Sequence, residues 1–270
     1  MRKIENIEDI HKLALKILLA FDAFCSEHDL KYSLGAGTLL GAVRHRGFIP
    51  WDDDIDLFML RSEYDILLSF AKSGELIQGR YKIKSPFDED MPYPFIKVID
   101  TRTKAVENQY STDMGLWLDV FPVDFCGNTV KEAESERKRS RIYCDYLFNS
   151  FEKKSRRINS LKILIKEFSF FFVKKVLHIN GNYFKKKILS RKQPHNKTKY
   201  AGTIVNSITE KDIYPSEFFT EGYDTLIFEG CEFPVFKHYT EILSWRYGDY
   251  MKLPPKEDRI PHLAEVYIND

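Results

Sequence analysis

The sequence predicts an α+β fold, a mixed sheet with carboxylates on one face and helices covering the other, carrying a basic helical insertion at about 130–200. Three observations lead there. Apolar runs of strand length, such as "FIKVID" and "LWLDVFPV", are interleaved with stretches of helical period. Aspartates stand at alternate positions of one such run, "DIDLFML", and in the middle of another. Lys153 to Lys199 holds fifteen Lys and Arg against one acid, Glu167, a segment charge of +14, whereas the rest of the chain holds 26 basic and 39 acidic residues. The net charge of +1 therefore hides two electrostatic territories.

Taken in order, the apolar positions Ile7, Ile10, Leu13, Ile17, Leu18 and Phe21 predict an amphipathic helix over 5–28. Residues 31–34 form a short strand, Gly35 and Gly37 permit a tight turn, and Thr38 is placed to cap a short helix through "LLGAVRH". After Pro50 and the acidic run comes "DIDLFML", read as a strand on which Asp54 and Asp56 share a face and Asp53 points away. A helix over 62–73 and strands at "YKIKS", "PFIKVIDT" and "GLWLDVFPVDF" follow. Residues 130–192 read as helical. Strands return at "YAGTIVNSI" and "YDTLIFEGCEFPVF", before a helix at "HYTEILSWRYG" and a Pro-rich tail. The catalytic core is thus assigned to 1–130 and 200–270, and the basic insertion to 131–199.

Composition sets the class. With 270 residues, 43% hydrophobic and 30% charged, the chain can bury a core without staples. Its four cysteines show no C-x-x-C pair, which argues against a zinc motif and a disulfide framework and for reduced thiols. Acidic and basic residues run through the first dozen positions with no small-residue cleavage site behind them, so export is not expected and the location is read as cytoplasmic.

The stretch "WDDDID" sets four carboxylates in five positions, and like charges so close need a solvated turn or a bound cation to offset their repulsion. Asp54 and Asp56 can hold Mg²⁺ or Mn²⁺. Asp119 supplies a third ligand or a proton acceptor, and the turn before the short helix offers N–H groups to a phosphate. Each piece alone also fits a solvated loop. Asp119, however, needs a reason to sit among Leu118, Val120 and Phe121, and metal coordination supplies one.

The block "YSLGAGTLLGAVRHRGFIPWDDDIDLFM", followed by "PFIKVIDTRT", "GLWLDVFPVD" and "YGDYMKLPP", resembles the LicD family of phosphocholine transferases, itself similar to the nucleotidyltransferase superfamily. That pattern has Gly-Ser where Gly37 and Thr38 stand here, and Thr keeps the hydroxyl. The resemblance implies transfer of phosphocholine from CDP-choline to a sugar hydroxyl, on a lipid-linked glycan, lipopolysaccharide or teichoic acid precursor, with release of CMP. It makes Asp54, Asp56 and Asp119 the catalytic and metal-binding carboxylates; Asp52 and Asp53 belong to the family's acidic run, but rank lower because an alternating strand points Asp53 away from the pair. Lys97 matches a recurring family Lys that would neutralise phosphate.

Other candidates carry two readings each. Lys97 could equally reach solvent, and Arg44 could bind phosphate or pair with an aspartate. Trp51, Trp117 and Tyr247 could enclose a quaternary ammonium or simply pack. Asp249 could orient an acceptor or hold a turn, and Asp124 could cap one. The stretch "LKILIKEFSFFFVKKVL" is too short and too charged to span a bilayer, yet could lie on its inner face, giving peripheral contact through 153–199. No motif for nucleic acid is present. The rivals are transfer of phosphoethanolamine, phosphoribitol or phosphoglycerol, nucleotidyl transfer from an NTP, and a non-catalytic lipid- or polyanion-binding module with a structural cation.

Overall fold

A computed structural model describes residues 1–107, 114–151, 161–190, 197–207, 209–259 and 263–269. The chain opens with β1 (Arg2–Ile4) and α1 (Ile7–Glu27); the Asn6 side chain caps α1 by accepting from the Asp9 N–H. Then come β2 (Ser33–Leu34), α2 (Ala36–His45), β3 (Asp56–Leu60), α3 (Arg61–Ser73), β4 (Leu76–Ile77), β5 (Tyr81–Lys84), β6 (Ile96–Asp100), β7 (Thr103–Glu107) and β8 (Trp117–Gly127). Three helices follow, α4 (Val130–Asn149), α5 (Leu161–Phe171), which continues into a π-helical turn at Phe172–Val176, and α6 (Gly181–Leu189). The chain ends with β9 (Tyr200–Gly202), β10 (Ile213–Pro215), α7 (Glu217–Thr220), β11 (Tyr223–Phe228), β12 (Cys231–Phe236), α8 (Tyr239–Tyr247) and β13 (Leu263–Ile268). The fold class is α+β.

The central strand is β8. Along one edge lies β3, parallel, from Asp56 opposite Asp119 to Leu60 opposite Val123. The other edge is shared by two antiparallel strands, β6 beside the first half of β8 and β9 beside the second. Beyond them lie β5 and β4 on one arm, β10 on the other, and β2 outside β3. Covered on both faces, β8 is buried at every position from Trp117 to Asp124, which is why it reads as a continuous apolar run rather than an alternating one. Helix α1 packs against β6 and β8, and α3 against β3 and β8, around a core that includes Ile17, Phe21, Leu57, Val98, Leu118 and Val120.

Several local expectations shift. β3 begins at Asp56, so Asp54 precedes the strand. Helix α2 is capped by Gly35, and Thr38 sits inside its first turn, where its hydroxyl accepts from the Asp56 N–H at 2.9 Å. In "YAGTIVNSI" the strand stops at Gly202 and a 3₁₀ turn follows at Ile204–Asn206. The small sheet β1-β13-β7 was not foreseen, because β1 has three residues and its partner lies at the opposite end of the chain.

Of the helices between β8 and β9, α4 packs against β8, β9 and the 3₁₀ turn at Ile204–Asn206, and α6 packs on α4. Phe184 stacks on Tyr146 of α4 with centroids 4.7 Å apart, and buried Lys185 donates to the carbonyls of Asp88 and Met91 at 2.7 and 2.8 Å. All four cysteines are free thiols. Among the described residues no helix is long and apolar enough to cross a membrane.

Candidate active site

Strand register builds the site. Directly opposed residues of neighbouring strands project from the same face, so Asp56 on β3, Asp119 on β8 and Lys97 on β6 form a row, with Lys84 of β5 beyond them. At its end the Gly35 N–H donates to the Asp56 carbonyl at 2.9 Å, and the Asp119 N–H donates to the Ile55 carbonyl at 2.8 Å. These bonds fix the mouth of the acidic loop against the sheet.

Lys97 is 1% exposed and donates to Asp119 Oδ1 at 2.6 Å. Its ammonium lies 4.1 Å from the ring centroids of both Tyr93 and Trp117 and 5.5 Å from that of Phe95. An ammonium held this way gives its charge to ring faces and one carboxylate. Burial pushes the Asp119 carboxyl up to about 6; Lys97 opposes the rise, and the charges of Asp54 and Glu107 add to it. Lys84 turns elsewhere, to Asp90 at 2.6 Å.

The acidic loop departs from strand alternation. Oxygens of Asp52, Asp53 and Asp54 all lie within 4.8 Å of one another, with Asp53 buried and its neighbours half-buried. Asp53 was expected to point away, but the strand begins only at Asp56, and a loop carries no period of two. His11 steadies the loop. Its Nε2 is 2.7 Å from the Asp52 carbonyl and its ring is stacked on Phe48.

Above the carboxylates sits the first turn of α2. A Cβ on Gly37 would lie 2.5 Å from Asp52 Oδ2 and 4.0 Å from Asp56 Oδ2, so the missing side chain is what lets helix and carboxylates approach. The left-handed residue of this turn is Ala36, at φ 38°, rather than either glycine. Such strain is held only where surrounding contacts enforce it. The all-oxygen donor set and the close helix fit a hard divalent cation, with backbone N–H groups above it for an anion.

The remaining candidates spread around this centre. Arg44 donates to the carbonyls of Tyr250 at 2.9 Å and Lys252 at 3.4 Å, tying the tail to α2. The Trp51 ring carries the Arg259 guanidinium 4.8 Å from its centroid and meets His45 edge-on. The Tyr247 hydroxyl has a raised pKa, first from desolvation, with the charges of Asp56 and Asp52 adding and Arg246 opposing. Asp249 is exposed, and its carbonyl accepts from the Lys252 N–H in a turn. Asp124 lies within β8, where Arg61 grips it through two bonds of 2.7 and 3.0 Å. Sequence reasoning missed Tyr93 and Glu107, whose side chains hydrogen-bond to each other beside Lys97. Glu107 lies on β7, a strand without a clear apolar pattern.

The sequence profile of the LicD/FKTN/FKRP nucleotidyltransferase domain matches residues 29–154, a stretch that takes in β2, the acidic loop, β8 and the whole of α4. Over 278 aligned residues the chain is 33% identical to the lipopolysaccharide cholinephosphotransferase LicD of Haemophilus influenzae, covering 99% of this chain and 100% of that protein. The chain belongs to the LicD family. As a LicD-family member it is an enzyme, a phosphotransferase. It is also similar to an uncharacterized Rickettsia typhi protein, RT0683, at 27% identity over 52% of this chain and 53% of that protein. A third likeness, to RP689 of Rickettsia prowazekii, reaches 47% identity over 18% of this chain and 20% of that protein.

Proposed function

We propose that this LicD-family enzyme transfers phosphocholine from CDP-choline to a sugar hydroxyl of a cell-surface glycan precursor, of lipopolysaccharide or teichoic acid type, and releases CMP. The observation that supports this most is the 33% identity along 99% of the chain to a protein named for phosphocholine transfer to lipopolysaccharide.

Asp54 and Asp56, with Asp119 beside them, are the residues we assign to hold Mg²⁺ or Mn²⁺, and Asp52 joins them because it shares the Gly37 cradle. When bound, the cation neutralises phosphate oxygens and stabilises the departing CMP. The N–H groups at the start of α2 orient the diphosphate. The acceptor oxygen attacks the choline-bearing phosphorus in line; its bond to the bridging oxygen breaks, and CMP leaves with the electron pair. The acceptor proton passes to Asp119, whose carboxylate burial makes more basic than usual, a rise that Lys97 opposes and a bound cation would also oppose. Lys97, boxed by Tyr93 and Trp117, is assigned to hold Asp119 rather than to bind phosphate. Trp117 is buried, whereas Trp51 is half-buried and Tyr247 exposed, so these two are the rings we assign to the ammonium, with Arg259 covering one face of Trp51.

The test is CMP release from CDP-choline with Mg²⁺, beside CDP-ethanolamine, CDP-ribitol and CDP-glycerol, with an EDTA control. Release from CDP-choline above the others is the expected result. Preference for another donor replaces the alcohol, and pyrophosphate from an NTP overturns the reading in favour of nucleotidyl transfer.

A further inference from the structure

One face of α5 is left uncovered among the described residues. Leu164, Ile165, Phe168, Phe171 and Phe172 are 47%, 61%, 66%, 59% and 42% exposed. Their spacing, i, i+1, i+4, i+7 and i+8, gathers them on an arc of about 120° at 100° per residue. The opposite side of the helix is spoken for. Phe170 is buried with its ring edge-on to Tyr146, and Lys166 pairs with Asp145 at 2.9 Å, both partners lying on α4. The apolar arc continues into Val176 and Leu177, which are 52% and 50% exposed. Such a stripe is too large and too continuous to be scattered surface hydrophobics.

Basic residues follow it in the chain. Lys174 and Lys175 on the π-helical turn and Lys186 and Lys187 on α6 are exposed, within the segment of fifteen basic residues and one acid. Residues 152–160 and 191–196, which carry other basic residues of that segment, lie outside the described residues.

We propose that this face docks on an anionic bilayer, with the phenylalanines in the interface and the lysines on lipid headgroups. Charge decides between this occupant and a second copy of the chain. Pairing two such faces would bring together two segments of +14 each, whereas an anionic leaflet neutralises the segment. The helix lies along the surface and does not cross it. Its 11 residues span about 16 Å, roughly half of a hydrocarbon core of about 30 Å. Lys185, anchored to the Asp88 and Met91 carbonyls, ties the docking helices to the segment leading into β6. The inference stands on the exposed face alone and does not depend on which donor the enzyme uses.

The test is flotation of the full chain with vesicles of mixed phosphatidylglycerol and phosphatidylcholine, beside phosphatidylcholine alone. The expected result is co-flotation with the anionic vesicles, weakened by salt. A Phe168→Asp/Phe171→Asp variant lowers the bound fraction by about tenfold, as does replacing Lys174, Lys175, Lys186 and Lys187 by Gln. Circular dichroism and donor hydrolysis in solution show that these variants remain folded, and if no donor turns over, flotation and circular dichroism still read the docking. Absence of flotation at low salt overturns the proposal, and so does binding that ignores the phenylalanines. A chain that light scattering finds dimeric, and that Phe168→Asp makes monomeric, assigns the face to a second copy and overturns it equally.

Discussion

Lys97 Nζ lies 2.6 Å from Asp119 Oδ1 while the same ammonium faces the rings of Tyr93 and Trp117 at 4.1 Å. Both side chains are buried, so the pair is screened little by solvent, and removing one partner strands the other. Lys97→Met is therefore expected to lose about 3–5 kcal/mol of stability in urea unfolding. It should also raise the Asp119 pKa further, since Lys97 is what opposes the effect of burial. If Lys97 instead served the substrate phosphate alone, the variant would raise KM and leave stability unchanged.

The Asp119 carboxyl, pushed up to about 6 from an ordinary 3.8, gives two pH dependences of opposite sign. Activity that needs the carboxylate falls on the acidic side, below about 6 because the Mg²⁺ that activity requires favours the charged form, and kcat/KM against pH checks this. For stability, the folded chain holds the proton more tightly than the unfolded one. The group's contribution is fully present below 3.8 and is lost as pH rises through about 6. Urea unfolding of metal-free protein between these values should show that slope, and Asp119→Asn should remove it. Added Mg²⁺ favours the carboxylate and should move the acidic limb of activity to lower pH.

Gly37 is a matter of space, because a Cβ there falls 2.5 Å from Asp52 Oδ2. Gly37→Ala must push the carboxylate aside or lift the start of α2. As the backbone at Gly37 is not left-handed, little folding penalty is expected. The expected outcome is a Mg²⁺ requirement raised about tenfold, read by titrating Mg²⁺ against donor hydrolysis, with Tm changed by only a few degrees.

How much of this was legible depended on whether the signal was local. Helix α1 and strands β3, β6 and β8 were readable because a periodic or fully buried run announces itself within a few residues. The pairing of Asp119 with Lys97 was not, since it arises from antiparallel register between segments 22 residues apart. Asp52 and Asp53 were underrated for the opposite reason. A strand period was extended two residues too far, into a loop where it has no force. Asp124 looked like a turn residue after Pro122, and only the tertiary approach of α3 revealed its partner.

Asp54→Asn and Asp56→Asn separate chemistry from folding. Both carboxylates are half-buried at the edge of a crowded acidic group, so neutralising either relieves like-charge repulsion. Tm is therefore expected to hold or rise slightly, while CMP release drops by about a hundredfold or more. Variants that keep near-normal turnover with CDP-choline would remove these two residues from the mechanism.

Arg61 and Asp124 form a pair whose role is structural, and sheet geometry says why. Asp124 lies five positions after Asp119 on β8, an odd interval, so it projects from the opposite face of the sheet to the catalytic row. It is fully buried, held by two bonds from a guanidinium that also lies 4.9 Å from the Tyr64 ring centroid. Arg61→Met leaves that carboxylate in the interior without its guanidinium and should cost about 3–5 kcal/mol in urea unfolding. Adding Asp124→Leu removes the stranded charge and should recover much of the loss, as apolar replacement of a whole buried pair is often near neutral. Donor turnover per folded molecule should stay unchanged in the double variant, because the face bearing Asp56, Asp119 and Lys97 is untouched. A double variant that folds fully yet loses turnover would place Asp124 in the chemistry after all.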